Sequence, residues 1–338
     1  PDREDREEVT LSRLRAQLRG GVTAVRDMGG DVRTLAGLKR RAEINAITSP
    51  DIYYSVILGG PGFFTDSRTV SSARGRTPGE TDWMRAVTAD SDFEAIVLRA
   101  QGTGATGLKA YADVPAPLLQ AIAESARRHA MPLWSHAYHR GASPQQVASA
   151  GVQVISHAPY LAAQSIPDYH SWHRGKREVP GDVMQRSFDE GSYAQLLDSL
   201  KASGALLDAT LTVFELTREG AGQREEMYGH ATMFARMANA SGIPLVAGTD
   251  TASDIAGIPF PAVHYELQLL VKDAGLAPLQ ALQAATLHGA RAVGAEADFG
   301  AVEAGQLANL VVLDENPAED IEHTLEIAHV LKHGRFVY

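Results

Sequence analysis

Two short apolar runs in mid-chain each end in a histidine: Pro132-Leu133-Trp134-Ser135-His136 and Val152-Gln153-Val154-Ile155-Ser156-His157. Between them, Ser143 to Gly151 reads as a short helix with a Ser cap, Pro in its first turn and Gly at its end. A strand–helix–strand unit joins parallel strands, because a crossover is needed to bring the second strand back in the same direction. Parallel strands end on a common rim, so the two imidazoles face one cleft. Lys109, in Gly107-Leu108-Lys109-Ala110-Tyr111, and Asp250, closing Pro244-Leu245-Val246-Ala247-Gly248-Thr249-Asp250, occupy the same position on other strands. A lysine, two histidines and an aspartate at four strand ends have the composition of a metal site.

The rest of the chain reads as the scaffold of these ends. Strand-like runs centre near residues 24, 55, 109, 135, 155, 208 and 247, alternating with helical patterns. This predicts an α/β chain whose residues 1–295 form a (β/α)8 TIM-type barrel. Seven strands are read where closure needs eight, so the first strand is expected upstream of Pro1. Residues 296–338, with alternating apolar positions broken by turns, are expected to form a small β-sandwich portion, a C-terminal β unit. Gly59 to Asp82 reads as a long lid or substrate loop, and Leu161 to Glu190 as irregular. His170 and His173 in the second stretch read as surface or lid residues.

Composition narrows the function. A net charge of -10 over 338 residues leaves no basic surplus for nucleic acid or an anionic membrane. No apolar run is long enough to span a bilayer. Cysteine is absent, which removes disulfides, thiolate zinc ligands and thiol nucleophiles, and fits a cytoplasmic setting. Self-association is left open.

The stretches Gly20-Gly21-Val22-Thr23-Ala24-Val25-Arg26-Asp27-Met28-Gly29-Gly30, Gly107–Tyr111, Ser135-His136-Ala137, Ser156-His157-Ala158, Gly248-Thr249-Asp250 and Gly300–Asp314 resemble, in order and spacing, the amidohydrolase superfamily, in its imidazolonepropionase-like and prolidase-like branch. The resemblance implies a metal-dependent hydrolase with a binuclear, usually zinc, centre. It implies that Lys109 is carboxylated by CO2 and bridges both metals, that His136 and His157 bind one of them, and that Asp250 binds the other and shuttles protons. The family's His-x-His pair on strand one has no counterpart, since none of the 12 histidines forms such a pair. A strand upstream of Pro1 would account for both the pair and the count of seven.

Read on their own chemistry, these residues keep alternatives. A lysine in a core strand is costly as a cation; it could instead pair with a carboxylate at the strand mouth or serve as a Schiff-base amine. Neutral imidazoles suit zinc. Asp250 could act as a general base or cap a turn, with Asp254 its nearest competitor. Tyr111 shares a strand face with Lys109 and either touches substrate or fills the barrel. His139 either supports the ligands or faces solvent. The expected activity is hydrolysis of amide-type C–N bonds, in dipeptides ending in proline or in cyclic amides. The alternative is a catalytically incomplete barrel that binds a small molecule because the His-x-His ligands are absent.

Overall fold

The computed structural model describes residues 3–218, 222–251 and 255–338. Parallel strands β1 (Ala24–Asp27), β2 (Asp51–Gly59), β3 (Met84–Ala86), β4 (Gly107–Ala110), β5 (Leu133–His136), β6 (Val154–Ser156), β7 (Leu206–Asp208) and β8 (Leu245–Val246) form one sheet. Its path runs β1-β2-β4-β5-β6-β7-β8, with β3 paired to β2 on the side. All seven strands read from the sequence are present, and β3 is an addition.

The sheet is strongly curled. Arg26 on β1 donates to Asp208 on β7 at 2.8 Å, although four strands separate them along the path. In a flat sheet that separation would be about 24 Å. The two polar side chains meet because the strands wrap around a common interior, as in an α/β barrel. Among the described residues β1 and β8 do not pair with one another.

Strand alternation divides the side chains between two cores. Leu133, Ile155, Leu207 and Leu245 face the surrounding helices and belong to the large outer core. Trp134, Val154, Leu206 and Val246, their neighbours of opposite parity, pack inside with Ala292 and half-buried Met28. Two residues further along these strands stand His136, Ser156, Asp208 and Gly248. The interior is therefore apolar below and polar at the carboxyl ends.

Trp134 makes the floor of the barrel. It is fully buried, its indole N–H donates to the Ala292 carbonyl at 2.8 Å, and its ring leaves no room on β4: a Cβ on Gly107 would lie 2.5 Å from it. Short capped helices close the crossovers. Asp92 caps Phe93–Gly102, and Ser143 with Gln146 forms a capping box on Pro144–Ala148, the helix whose Ser-Pro start is visible in the sequence.

Antiparallel strands β9 (Leu310–Leu313), β10 (Ile327–Lys332) and β11 (Arg335–Phe336) form a second, three-stranded sheet. It docks at the amino ends of β1 and β2. Buried Lys332 reaches Asp51 at 2.8 Å and the Ser49 carbonyl at 2.9 Å, while His333 reaches Asp51 at 2.8 Å. The residues between Phe299 and Asn309 contribute no strand. The second sheet thus lies away from the rim where the candidate site residues gather.

The stretches expected to be loops are more ordered than their composition implies. Gly59 to Asp82 contains a 3-10 turn, Pro61–Thr65, and a helix, Ser67–Ser72, started by an Asp66 cap. Leu161 to Glu190 contains helices Tyr169–His173 and Gly181–Ser187. Helices of five to seven residues are too short to display a periodic apolar stripe, which is why composition alone misreads them.

The floor generates a stability prediction. Gly107→Ala forces a methyl group into the Trp134 ring and should cost about 1–3 kcal/mol, read as a lower urea midpoint with unchanged far-UV circular dichroism. An unchanged midpoint would show that the ring is free to move aside.

Candidate active site

His136 ends β5 in register with the interior face, and its ring lies 4.7 Å from that of His157 and 4.4 Å from that of Tyr111. His157 reaches the same place by another route. By alternation, the residue after Ser156 should turn outward; instead its backbone is left-handed, with φ 73° and ψ 80°. The strand breaks there and the ring stays buried beside His136. Burial, reinforced by the charge of Lys109, holds both imidazoles well below the usual histidine value. Both are neutral at pH 7, the form that ligates metal. Among the described residues, neither ring nitrogen of His136 has a hydrogen-bond partner in the protein.

Lys109 is 2% exposed. Burial is the main cause of a pKa lowered to about 7, with Arg26 adding to it and Asp208 and Asp250 opposing it. Among the described residues it forms no ion pair. A substantial fraction of the amine is therefore neutral near pH 7, and a neutral amine is the form that reacts with CO2.

The Arg26–Asp208 pair was not anticipated. Ser156 also donates to Asp208, at 3.2 Å, and the Arg26 guanidinium lies 5.0 Å from the centre of the Trp134 ring. A Cβ on Gly248 would come within 2.2 Å of the Asp208 carboxylate, which explains why β8 continues with glycine. Arg26 and Asp208 each retain one buried polar atom without a partner among the described residues. The available signal was charge at the carboxyl ends of two short strands, Arg26 with Asp27 on β1 and Asp208 on β7.

Tyr111 stacks on Phe63, with ring centres 4.6 Å apart and planes at 24°, so it presents its other side to His136. His139 is buried rather than in solvent. Its Nε2 lies 2.7 Å from Ser135 Oγ, and its ring centre 6.4 Å from that of His136. Tyr160, which sequence reasoning passed over, stands at the centre of the wall. Its ring lies 5.8 Å from His136, 5.2 Å from His157 and 5.0 Å from His173, and its hydroxyl meets His173 Nε2 at 3.3 Å. Its only sequence signal was its place three residues after His157. His173 itself is packed into this wall, stacked on Tyr169.

Asp250 opens onto a cleft of about 550 Å³ that it lines with His157, Tyr160, His173 and Arg174. It is the most solvent-open of the expected residues, also left-handed, with φ 51°. Loss of surrounding water raises its pKa, Lys109 lowers it and Asp208 raises it further. Asp254 lies outside the described residues. At the outer edge, Asp66 accepts from Arg68 at 2.9 Å and from Arg174 at 3.5 Å, tying helix Ser67–Ser72 to the chain after Tyr169–His173. The bonds from Arg68 are the main cause of a carboxyl held far below the usual range.

His157 and Asp250 thus line the cleft, and His136 and Tyr111 adjoin them through ring contacts. Lys109 lies close enough to act on both His136 and Asp250 electrostatically, and His139 is seated behind His136. Among the described residues no three His, Asp or Glu side chains group as a metal-binding set. Two adjacent neutral imidazoles fit a divalent ion by donor chemistry.

Comparison with known proteins identifies the frame that carries these residues. A family model described as "Amidohydrolase family" matches residues 2–337. Over 165 residues the chain is 32% identical to the ochratoxinase of Aspergillus niger, a match covering 44% of this chain and 33% of that protein's length. The crystal structure of A. niger ochratoxinase superimposes with a TM-score of 0.72 at 21% identity, covering 96% of this chain and 74% of the other. A Xaa-Pro dipeptidase structure with methionine bound in its active site gives a TM-score of 0.71 at 19% identity, over 99% and 80% of the two chains. These likenesses to solved structures concern the fold; membership rests on the family match, which runs almost end to end. The chain belongs to the amidohydrolase family.

Proposed function

We propose that the chain is the barrel of a metal-dependent hydrolase of amide-type C–N bonds, acting on dipeptides or cyclic amides. The observation that carries this reading is the pair of touching, uncharged imidazoles of half-buried His136 and buried His157 near the depressed amine of Lys109. The names of the relatives point the same way, one a dipeptidase and one an ochratoxinase.

His136, His157 and carboxylated Lys109 would hold a divalent ion, zinc by donor type, and a second ion would require further donors, Asp250 among them. A bound ion of this kind polarises a carbonyl and lowers the pKa of water. Lys109 contributes its neutral amine, whose addition to CO2 yields a carboxylate and releases one proton. Asp250, raised toward a stronger base by its surroundings, takes a proton from water at the mouth of the cleft and returns it to the leaving amine. Tyr160 packs its ring against both imidazoles, and its hydroxyl, held near His173 Nε2, is the group assigned to support the oxygen of the scissile carbonyl as negative charge builds there. Tyr111, held by Phe63, shapes the opposite side against the substrate.

Two outcomes test this. Elemental analysis of purified protein should find a bound divalent metal, and Lys109→Ala should lose both the metal and turnover. A Schiff-base enzyme would lose activity with its metal content unchanged, and metal-free wild-type protein would sink the hydrolase reading. Tyr160→Phe should lower kcat on a dipeptide or cyclic amide about 10²-fold with little change in KM. A loss confined to KM would make Tyr160 a binding residue only.

A further inference from the structure

We infer that Thr210 and Glu266 form a positioning relay that fixes the tautomer and direction of His157. The inference rests on the reading of His157 as a metal ligand and adds two residues to it.

His157 Nδ1 lies 2.9 Å from Thr210 Oγ1, and Thr210 Oγ1 in turn donates to the Ala209 carbonyl at 2.7 Å. A hydroxyl has one proton to give. With that proton on the carbonyl, the Thr210 oxygen can only accept, so His157 carries its proton on Nδ1. Its Nε2 is left as a lone pair, the atom available to a metal.

Thr210 holds this position at a cost. Its φ is 54°, a left-handed conformation that is a genuine outlier for a β-branched residue and typically costs about 1–3 kcal/mol. His157, its partner, is left-handed as well. The β6–β7 ladder remains paired up to this point, with the His157 N–H donating to the Asp208 carbonyl at 2.9 Å. Both departures therefore fall within two residues of the last regular rung, Ser156 with Asp208.

Glu266 is the group that over-determines the second departure. It is completely buried on helix Val263–Lys272, and its carboxylate accepts from the N–H of Leu211 at 2.9 Å, the N–H of Thr212 at 2.7 Å and the Thr212 hydroxyl at 2.7 Å. These are the residues that follow Thr210. A buried carboxylate satisfied by three donors from one turn clamps that turn, and with it the hydroxyl that meets His157.

The direct test is the tautomer. In metal-free wild-type protein labelled with 15N-histidine, the His157 signals, assigned by their loss in His157→Asn, should show an Nδ1–H imidazole; an Nε2–H imidazole overturns the relay. The second test measures zinc affinity by chelator competition, alongside the urea midpoint. Thr210→Val should bind zinc about 10- to 100-fold more weakly, Thr210→Ser should retain wild-type affinity, and Glu266→Gln should shift affinity in the same direction as Thr210→Val. Equal affinity in wild type and Thr210→Val, or a shift in the urea midpoint alone, overturns the relay. Failure of the wild type to bind zinc overturns the hydrolase reading instead, while the tautomer still decides whether Thr210 orients the ring.

Discussion

The interior of the barrel changes character within two residues. Trp134, Val154, Leu206 and Val246 pack as oil; one alternation later Ser156 and Asp208 are polar and still almost cut off from water, with His136 half-buried beside them. That step imposes every other property of the rim. Polar groups so placed must be paired, neutralised or coordinated. Arg26 and Asp208 take the first course and Lys109 and the imidazoles the second, which leaves the third available to them. The floor makes this possible, because a layer with fewer large side chains than one centred on Trp134 would admit water from below.

The wall of aromatic rings follows from the same constraint. Tyr111, Tyr160 and Phe63 exclude water from the imidazoles while offering hydroxyl groups at the edge. They come from segments that follow β2, β4 and β6, so the wall exists only once the sheet has curled. The amidohydrolase relatives share the frame, and the residues that line the cleft are where this chain can differ from them.

Much of the frame was legible in the sequence. Parallel strands announce themselves as short apolar runs between capped helices, and Lys109 and His136 follow strand alternation, so their convergence could be read from spacing. His157 and Asp250 converge for a reason that spacing cannot express: both sit in left-handed backbone, which redirects a side chain against the period of the strand. Arg26 and Asp208 were hidden because their meeting depends on closure across the barrel, a contact of 182 residues' separation. Tyr160 was hidden because the turn that carries it is too short to leave a pattern. His173, visible in the sequence, reads there as a surface or lid residue because nothing in its short helix marks the face that packs on Tyr160 and Tyr169. The short helices before β3 escaped for the same reason.

At the entrance charge is added to packing: Phe64, Tyr169 and Trp172 are buried in the core, and an ion-pair cluster joins their two segments above them. Arg68 and Arg174 share one Asp66 carboxylate, yet their side chains are 63% and 44% exposed, and ion pairs in water contribute about 0–1 kcal/mol. A fastening of that strength is of the order of thermal energy. The ion pairs can break and re-form without disturbing the layers beneath. Rising salt loosens the fastening while leaving the sealed interior untouched. The charged edge of the cleft is thereby the part that responds to the ionic surroundings, while the sealed layers below it do not.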